Sequence, residues 1–203
     1  MNNENWLKDF VSDYKGQIIE VLSKRTTNGK PREVARRAPG VRAIAVTKDN
    51  KFIITREYRE YLKKQFDYRL PGGKVVDTLS EYHGLLARNH LANHIRYAVN
   101  KELTEETGIT AKSVTKFAVS NSGGTIDWDL HYFEMKDLSF GEARPEDDEK
   151  IEVLQLTVKE TIDIVVLKQM SEDRSRMILM DYLLEHYPME VIERIKELNT
   201  NDS

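Results

Sequence analysis

Apolar and polar positions alternate over short stretches in the first third of the chain and recur at three- and four-residue spacing in the last third. Residues 17–24 (QIIEVLSK) and 32–37 read as strands around Thr27-Asn28-Gly29-Lys30, where Asn-Gly between β-prone segments signals a hairpin. Residues 41–47 and 51–57 form a second pair, hinged at Lys48-Asp49-Asn50. Pro71-Gly72-Gly73 breaks the pattern sharply. Residues 79–87 carry helical spacing, and 93–107 carry it more strongly, closed by Gly108 where a helix end favours glycine. Residues 114–120, 129–134 and 152–157 read as strands, the first two separated by Asn121-Ser122-Gly123-Gly124. Residues 159–168, 174–186 and 189–198 read as helices, with Pro188 expected to separate the last two. Strands first, one central helix and helices last predict a mixed α+β fold.

Composition narrows the classes of function. The 203 residues are 39% hydrophobic and 32% charged, enough for an ordinary core and a length that suits one domain. Cysteine is absent, which excludes disulfides, thiolate zinc sites, iron–sulfur ligation and a cysteine nucleophile, and fits a reducing cytoplasm. The apolar runs are too short to span a bilayer, and the start, Met1-Asn-Asn-Glu-Asn, lacks the layout of a signal peptide. The expectation is therefore a cytoplasmic protein with no membrane partner. A net charge of −3 leaves no domain-wide basic excess, which argues against nucleic acid. The charge is unevenly spread: six bases against one acid between positions 24 and 37, and acids concentrated at 101–106 and 141–152. Such runs are either solvated faces or a site where cations meet a small polyanion beside carboxylates.

The candidate chemistry lies in Lys101-Glu102-Leu103-Thr104-Glu105-Glu106-Thr107-Gly108-Ile109. On a helix, Glu102, Glu105 and Glu106 fall within about a third of the circumference, and Glu102 and Glu106 sit one turn apart. Like charges at that spacing repel by roughly 0.2–0.5 kcal/mol, so the stripe calls for a cation. Oxygen-only ligands suit a hard ion, Mg2+ or alternatively Mn2+. His90 and His94, four apart, invite a zinc reading, but Leu91 stands where the metalloprotease pattern needs Glu.

Lys101–Ile109 resembles the second half of the Nudix hydrolase box, R-E-U-x-E-E-x-G-U with U aliphatic, at every position except Lys101. Leu70-Pro71-Gly72-Gly73-Lys74-Val75 looks like the entry to that box. Tyr14-Lys15-Gly16, Asn28-Gly29-Lys30, Pro39-Gly40-Val41, Arg56-Glu57-Tyr58-Arg59 and the acidic stretch from Glu146 to Val153 are similar to the ADP-ribose pyrophosphatase branch. The resemblance implies an α/β/α sandwich with a mixed sheet. Residues 1–40 would form an N-terminal β segment that builds a homodimer, and 41–203 the catalytic domain with C-terminal helices. It implies Mg2+-dependent hydrolysis of a nucleoside diphosphate linked to a moiety X, ADP-ribose giving AMP and ribose 5-phosphate being the favoured case. Another nucleotide sugar, a dinucleoside polyphosphate or an oxidised nucleotide is the alternative substrate, and a non-catalytic nucleotide sensor the alternative class. By the same resemblance, Glu102, Glu106 and the Gly72 carbonyl hold metal, Glu105 and Glu149 are the catalytic carboxylates, with Glu149 as base, and Arg59 and Arg56 hold phosphate.

Two departures qualify the match. Gly73 and Lys101 are 28 positions apart, fourteen more than the box allows, which points to an insertion within residues 77–91 that either caps the site or is a passive excursion. The box's first glutamate position falls on Asn93 and its arginine on Lys101, so a supporting pair is replaced, and lysine cannot reproduce a planar bidentate contact.

Overall fold

The computed structural model describes residues 7–59, 65–145 and 150–201. Among them the order is β1 (Val11–Lys15), β2 (Ile19–Arg25), β3 (Pro31–Arg37), β4 (Gly40–Ala45), β5 (Phe52–Arg59), β6 (Gln65–Arg69), α1 (Leu79–Ala87), α2 (Leu91–Thr107), β7 (Ile109–Ser120), β8 (Ile126–Asp127), β9 (Leu130–Phe140), β10 (Ile151–Leu156), α3 (Val158–Val166), α4 (Asp173–His186) and α5 (Pro188–Asn201).

Strand alternation sets the layers. In β4, Val41, Ala43 and Ala45 face α2, where they pack with Val99 and Leu103. Ile44 faces the other way, into a core shared with Phe52, Tyr132, Ile162, Leu179 and Tyr182 of β5, β9, α3 and α4. A strand covered on both faces reads as a continuous apolar run, as β4 does apart from Arg42. Helices therefore lie on both sides of the strands, the α+β sandwich expected. β4 pairs in parallel with β9, which pairs antiparallel with β7. β5 pairs antiparallel with both β6 and β10. β1, β2 and β3 form an antiparallel meander to which β8 adds in parallel, Ala35 opposite Ile126.

Several elements differ from the pattern-based expectation. β1, β6 and the two-residue β8 lie outside the strands that the pattern predicts. β7 begins directly after Gly108, and β9 runs on to Phe140. Pro188 does break the chain between α4 and α5, but as the first residue of α5. There its missing N–H is one the helix leaves unpaired anyway. Among the described residues, no helix is long and apolar enough to cross a membrane.

Candidate active site

The C-terminal turn of α2 carries the glutamate stripe, and its ending is fixed by Gly108, left-handed at φ 70°, whose N–H bonds Thr104 O at 2.8 Å. A Cβ there would meet Gly141 O at 2.5 Å and Ala143 N at 2.6 Å, so only glycine lets the β9–β10 connection pack so closely. Arg144 N then donates to Glu105 O at 2.8 Å. The start of the acidic segment is thereby docked on the turn that presents the carboxylates.

The other wall is the loop before α1. Val41 N donates to Gly73 O (3.0 Å) and Ala43 N to Pro71 O (2.8 Å), which straps the loop to β4. Gly72 has φ 142°, and a Cβ on it would overlap Val41 O. A Cβ on Gly73 would overlap the Glu102 carboxylate. The two glycines thus bring backbone against the glutamates, and Gly72 N donates to Glu106 Oε2 at 2.8 Å.

Glu106 is buried, and its pKa is pushed up to about 8. Burial is the largest cause, followed by the nearby Glu57 charge; Glu102 adds to it, while the Gly72 hydrogen bond and Arg42 act in the opposite direction. A carboxylate held this way favours a bound cation that displaces its proton. Among the described residues no three acidic or imidazole side chains form a ready-made metal cage. Mg2+ needs no such cage, since it keeps several waters and takes one or two carboxylates plus substrate phosphate. Glu102 and Glu106 fit that role. The Gly72 carbonyl already accepts from Arg42 Nη1 at 2.6 Å, which leaves its second lone pair for an ion.

Arg42 braces the glycine loop against β4. It is a buried charge in the middle of an apolar strand, clamped by Glu172 through Nε (2.9 Å) and Nη2 (3.0 Å) while Nη1 holds Val41 O and Gly72 O. Burial alone would raise the Glu172 pKa, but the Arg42 charge and hydrogen bonds, with Ser175 and Arg69, outweigh it and hold it at about 2. Arg69 lies 3.5 Å from Glu172 and 3.6 Å from Glu57, and bonds Asp67 at 3.2 Å. A bidentate pair thus joins β4 to the residue capping α4. Lys101 instead bonds Glu105 on its own helix at 2.8 Å.

These groups line a cleft of about 800 Å³. Glu102, Glu105, Glu106 and Gly72 are brought together there as expected, with Arg37, Lys74, Arg144 and Trp128 added. Arg56 is not brought there. The β5–β10 register sets it opposite Glu152, which captures it in an ion pair, and its guanidinium lies over Phe66. The Arg59 side chain and Glu149 lie outside the described residues, although Pro145, just before that segment, lines the cleft. Sequence reasoning missed Arg37, Arg42, Glu172 and Trp128 as site residues. Arg42 had a signal, a charge inside an apolar run, and Arg37 had one as the last member of the basic run between positions 24 and 37.

The fold and cleft define an α+β sandwich of the kind seen in the solved structure of an ADP compounds hydrolase. The TM-score is 0.62 at 15% identity, covering 89% of this chain and 94% of that one. By sequence, the chain is 27% identical over 169 residues to an ADP-ribose pyrophosphatase of Bacillus subtilis (strain 168), covering 80% of this chain and 83% of that protein. It is 26% identical over 177 residues to a methanol dehydrogenase activator of Bacillus methanolicus, covering 84% and 87%. No family model matches the chain.

Proposed function

We propose that this protein is a Nudix-type pyrophosphohydrolase that cleaves a nucleoside diphosphate joined to a moiety X, with Mg2+ (or Mn2+) at Glu102 and Glu106. ADP-ribose, giving AMP and ribose 5-phosphate, is the favoured substrate. The observation that carries this reading is the buried Glu106 carboxylate, pressed against the Gly72–Gly73 backbone in a cleft that also holds Arg37, Lys74 and Arg144. Similarity to an ADP-ribose pyrophosphatase supports the substrate class.

The ion, when bound, supplies charge neutralisation of the pyrophosphate and a more acidic water. The chain supplies the rest. Arg37, Lys74 and Arg144 offer charge-assisted hydrogen bonds to phosphate oxygens. Glu105, held by Lys101, orients the attacking water, and Glu149 removes its proton as general base. Arg42 and Glu172 fix the Gly72 carbonyl against the glutamate turn. The extra residues between Gly73 and Lys101 include α1, which we read as an insertion in the box.

We also propose a homodimer formed through the N-terminal sheet. A phosphate-release screen over nucleoside diphosphate derivatives, with Mg2+ and with Mn2+, tests the activity. Turnover of ADP-ribose above other nucleotide sugars and dinucleoside polyphosphates is expected. Turnover of none would favour a nucleotide sensor.

A further inference from the structure

A second cavity, of about 670 Å³, lies apart from the glutamate stripe. Arg37 lines both it and the catalytic cleft, so the two adjoin at that side chain. Its volume falls in the range of small-ligand sites. One side is apolar and comes from the helices: Tyr82 and Leu86 of α1, Leu91 and Ile95 of α2. The other side is polar: Asn121, Asp129 and His131 from the β7–β9 region, with Lys116 and the Arg36–Asp127 ion pair, whose charges meet each other at 2.8 Å.

The helix that forms the first wall is firmly placed. Thr78 and Glu81 make a reciprocal capping box, Leu79 N donates to Gln17 O at 2.9 Å, and His83 Nε2 lies 3.1 Å from the buried Glu20 carboxylate. Tyr82 and Leu79 bury against Ala38, with Leu86 and Leu91 packed alongside. α1 is therefore a fixed wall; none of its own residues is among those lining the glutamate cleft, whereas Gly72, Gly73, Lys74 and Asp77 of the loop before it are.

From this arrangement we infer that α1 and the β7–β9 groups build a subsite for an uncharged, ribose-bearing end of the substrate, next to the pyrophosphate held in the catalytic cleft. The inference rests on the pyrophosphohydrolase reading above. The chemistry of the lining carries it. Carboxylate and amide side chains accept and donate to sugar hydroxyls, and apolar side chains cover the flat side of a pentose or a base. His131 Nδ1 is buried without a hydrogen-bond partner, and burial, helped by Lys116, lowers the His131 pKa. The ring is neutral at physiological pH and offers one donor and one acceptor without adding charge. Arg37, at the junction, has its own pKa lowered by burial and by Arg42, and it stacks over Trp128 at 4.6 Å. A cation with a cation for neighbour is placed to take the phosphate that joins the two cavities.

The test uses the whole chain and two hydrolysis-resistant probes. α,β-Methylene ADP-ribose carries both ends, whereas α,β-methylene ADP carries the nucleoside alone. Leu86→Trp fills the cavity from α1, and His131→Leu removes the ring's polar groups without a large change in size. Binding is measured by calorimetry, with inorganic pyrophosphate plus Mg2+ as control. Each variant is expected to weaken the ADP-ribose analogue about tenfold or more and leave pyrophosphate unchanged, with His131→Gln recovering part of the loss. An equal loss with the ADP analogue places the nucleoside end in the cavity, and a loss confined to the ADP-ribose analogue places the distal ribose there. Two folded variants that bind both analogues within twofold of wild type overturn the subsite. Wild-type protein that binds neither analogue nor pyrophosphate overturns the hydrolase reading instead, and the subsite with it.

Discussion

At the scale of single residues, the site is governed by one buried carboxylate. Glu106 sits beside Glu57 and Glu102 and accepts from the Gly72 N–H among the described residues, so its carboxylate is poorly compensated without the proposed cation. Glu106→Gln keeps shape and helix propensity. Turnover should fall by about 10²-fold or more, since the ion's contribution is worth several kcal/mol. Without metal the variant should melt at a higher temperature than wild type near pH 7, because wild type must take up a proton to bury Glu106, with its folded pKa of about 8, and glutamine carries no such cost. The upward shift in Tm that Mg2+ gives wild type should disappear. A variant that keeps both the Mg2+ shift and the activity would show that the ion is held elsewhere. Glu149 is tested separately: Glu149→Gln should lower kcat by at least about 10²-fold while substrate affinity changes much less, as for removal of a general base. A kcat within a few-fold of wild type rules Glu149 out and turns attention to Asp147. The glutamate stripe and Gly72 were legible because they sit in one continuous helical pattern and one glycine turn. Arg56 lies outside the cleft because its partner, Glu152, is ninety-six positions away and is set by strand register, which no local pattern encodes.

Among elements, legibility followed periodicity. α2 shows helical spacing and a glycine stop, and it is found within two residues of the expected start. β1 escaped notice because all five of its residues are exposed, so no apolar alternation marks it. β6 escaped because Asp67, one of its buried positions, is charged, satisfied by Arg69 and by Ser171 N and Oγ at 2.8 and 2.6 Å. The same physics joins β4 to α4 through Arg42 and Glu172. With a folded pKa of about 2 against 4.5 for the free side chain, Glu172 adds stability that is fully present above pH 4.5. It is lost as the pH falls from there toward 2, an effect on the order of 3 kcal/mol. Glu172→Gln should therefore destabilise the protein at pH 7 by roughly 3 kcal/mol, since Arg42 is left buried and unpaired. The variant's stability should also fall less steeply between pH 5 and pH 3 than that of wild type. Urea unfolding at each pH measures both. Parallel acid limbs for the two proteins would show that the pair does not tie β4 to α4 in the way described.

For the whole molecule, the question is what covers the N-terminal sheet. Residues opposite one another in a sheet share a face, and the registers place Tyr14 opposite Val21, Val21 opposite Ala35, and Ala35 opposite Ile126. This row crosses all four strands on the face opposite Leu22 and Val34, which are buried against Leu7. Tyr14 and Ile126, at its two ends, are 61% and 47% exposed, and Val11 and Ile19 add further exposed apolar surface at 68% and 41%. An apolar row running the width of a sheet is more than scattered surface hydrophobicity and marks an interaction face. In the homodimer we propose, a second copy of the chain presenting the same row would cover it through a twofold interface, the commonest symmetry of soluble oligomers. Charged ends should abolish that contact while leaving the inner face intact, because neither side chain is buried within the protomer. Tyr14→Lys combined with Ile126→Lys should thus shift the protein from dimer to monomer in sedimentation equilibrium, with the circular dichroism spectrum unchanged. Wild-type protein that sediments as a monomer at micromolar concentration, or a double variant that remains dimeric, would show that this sheet face is not the interface.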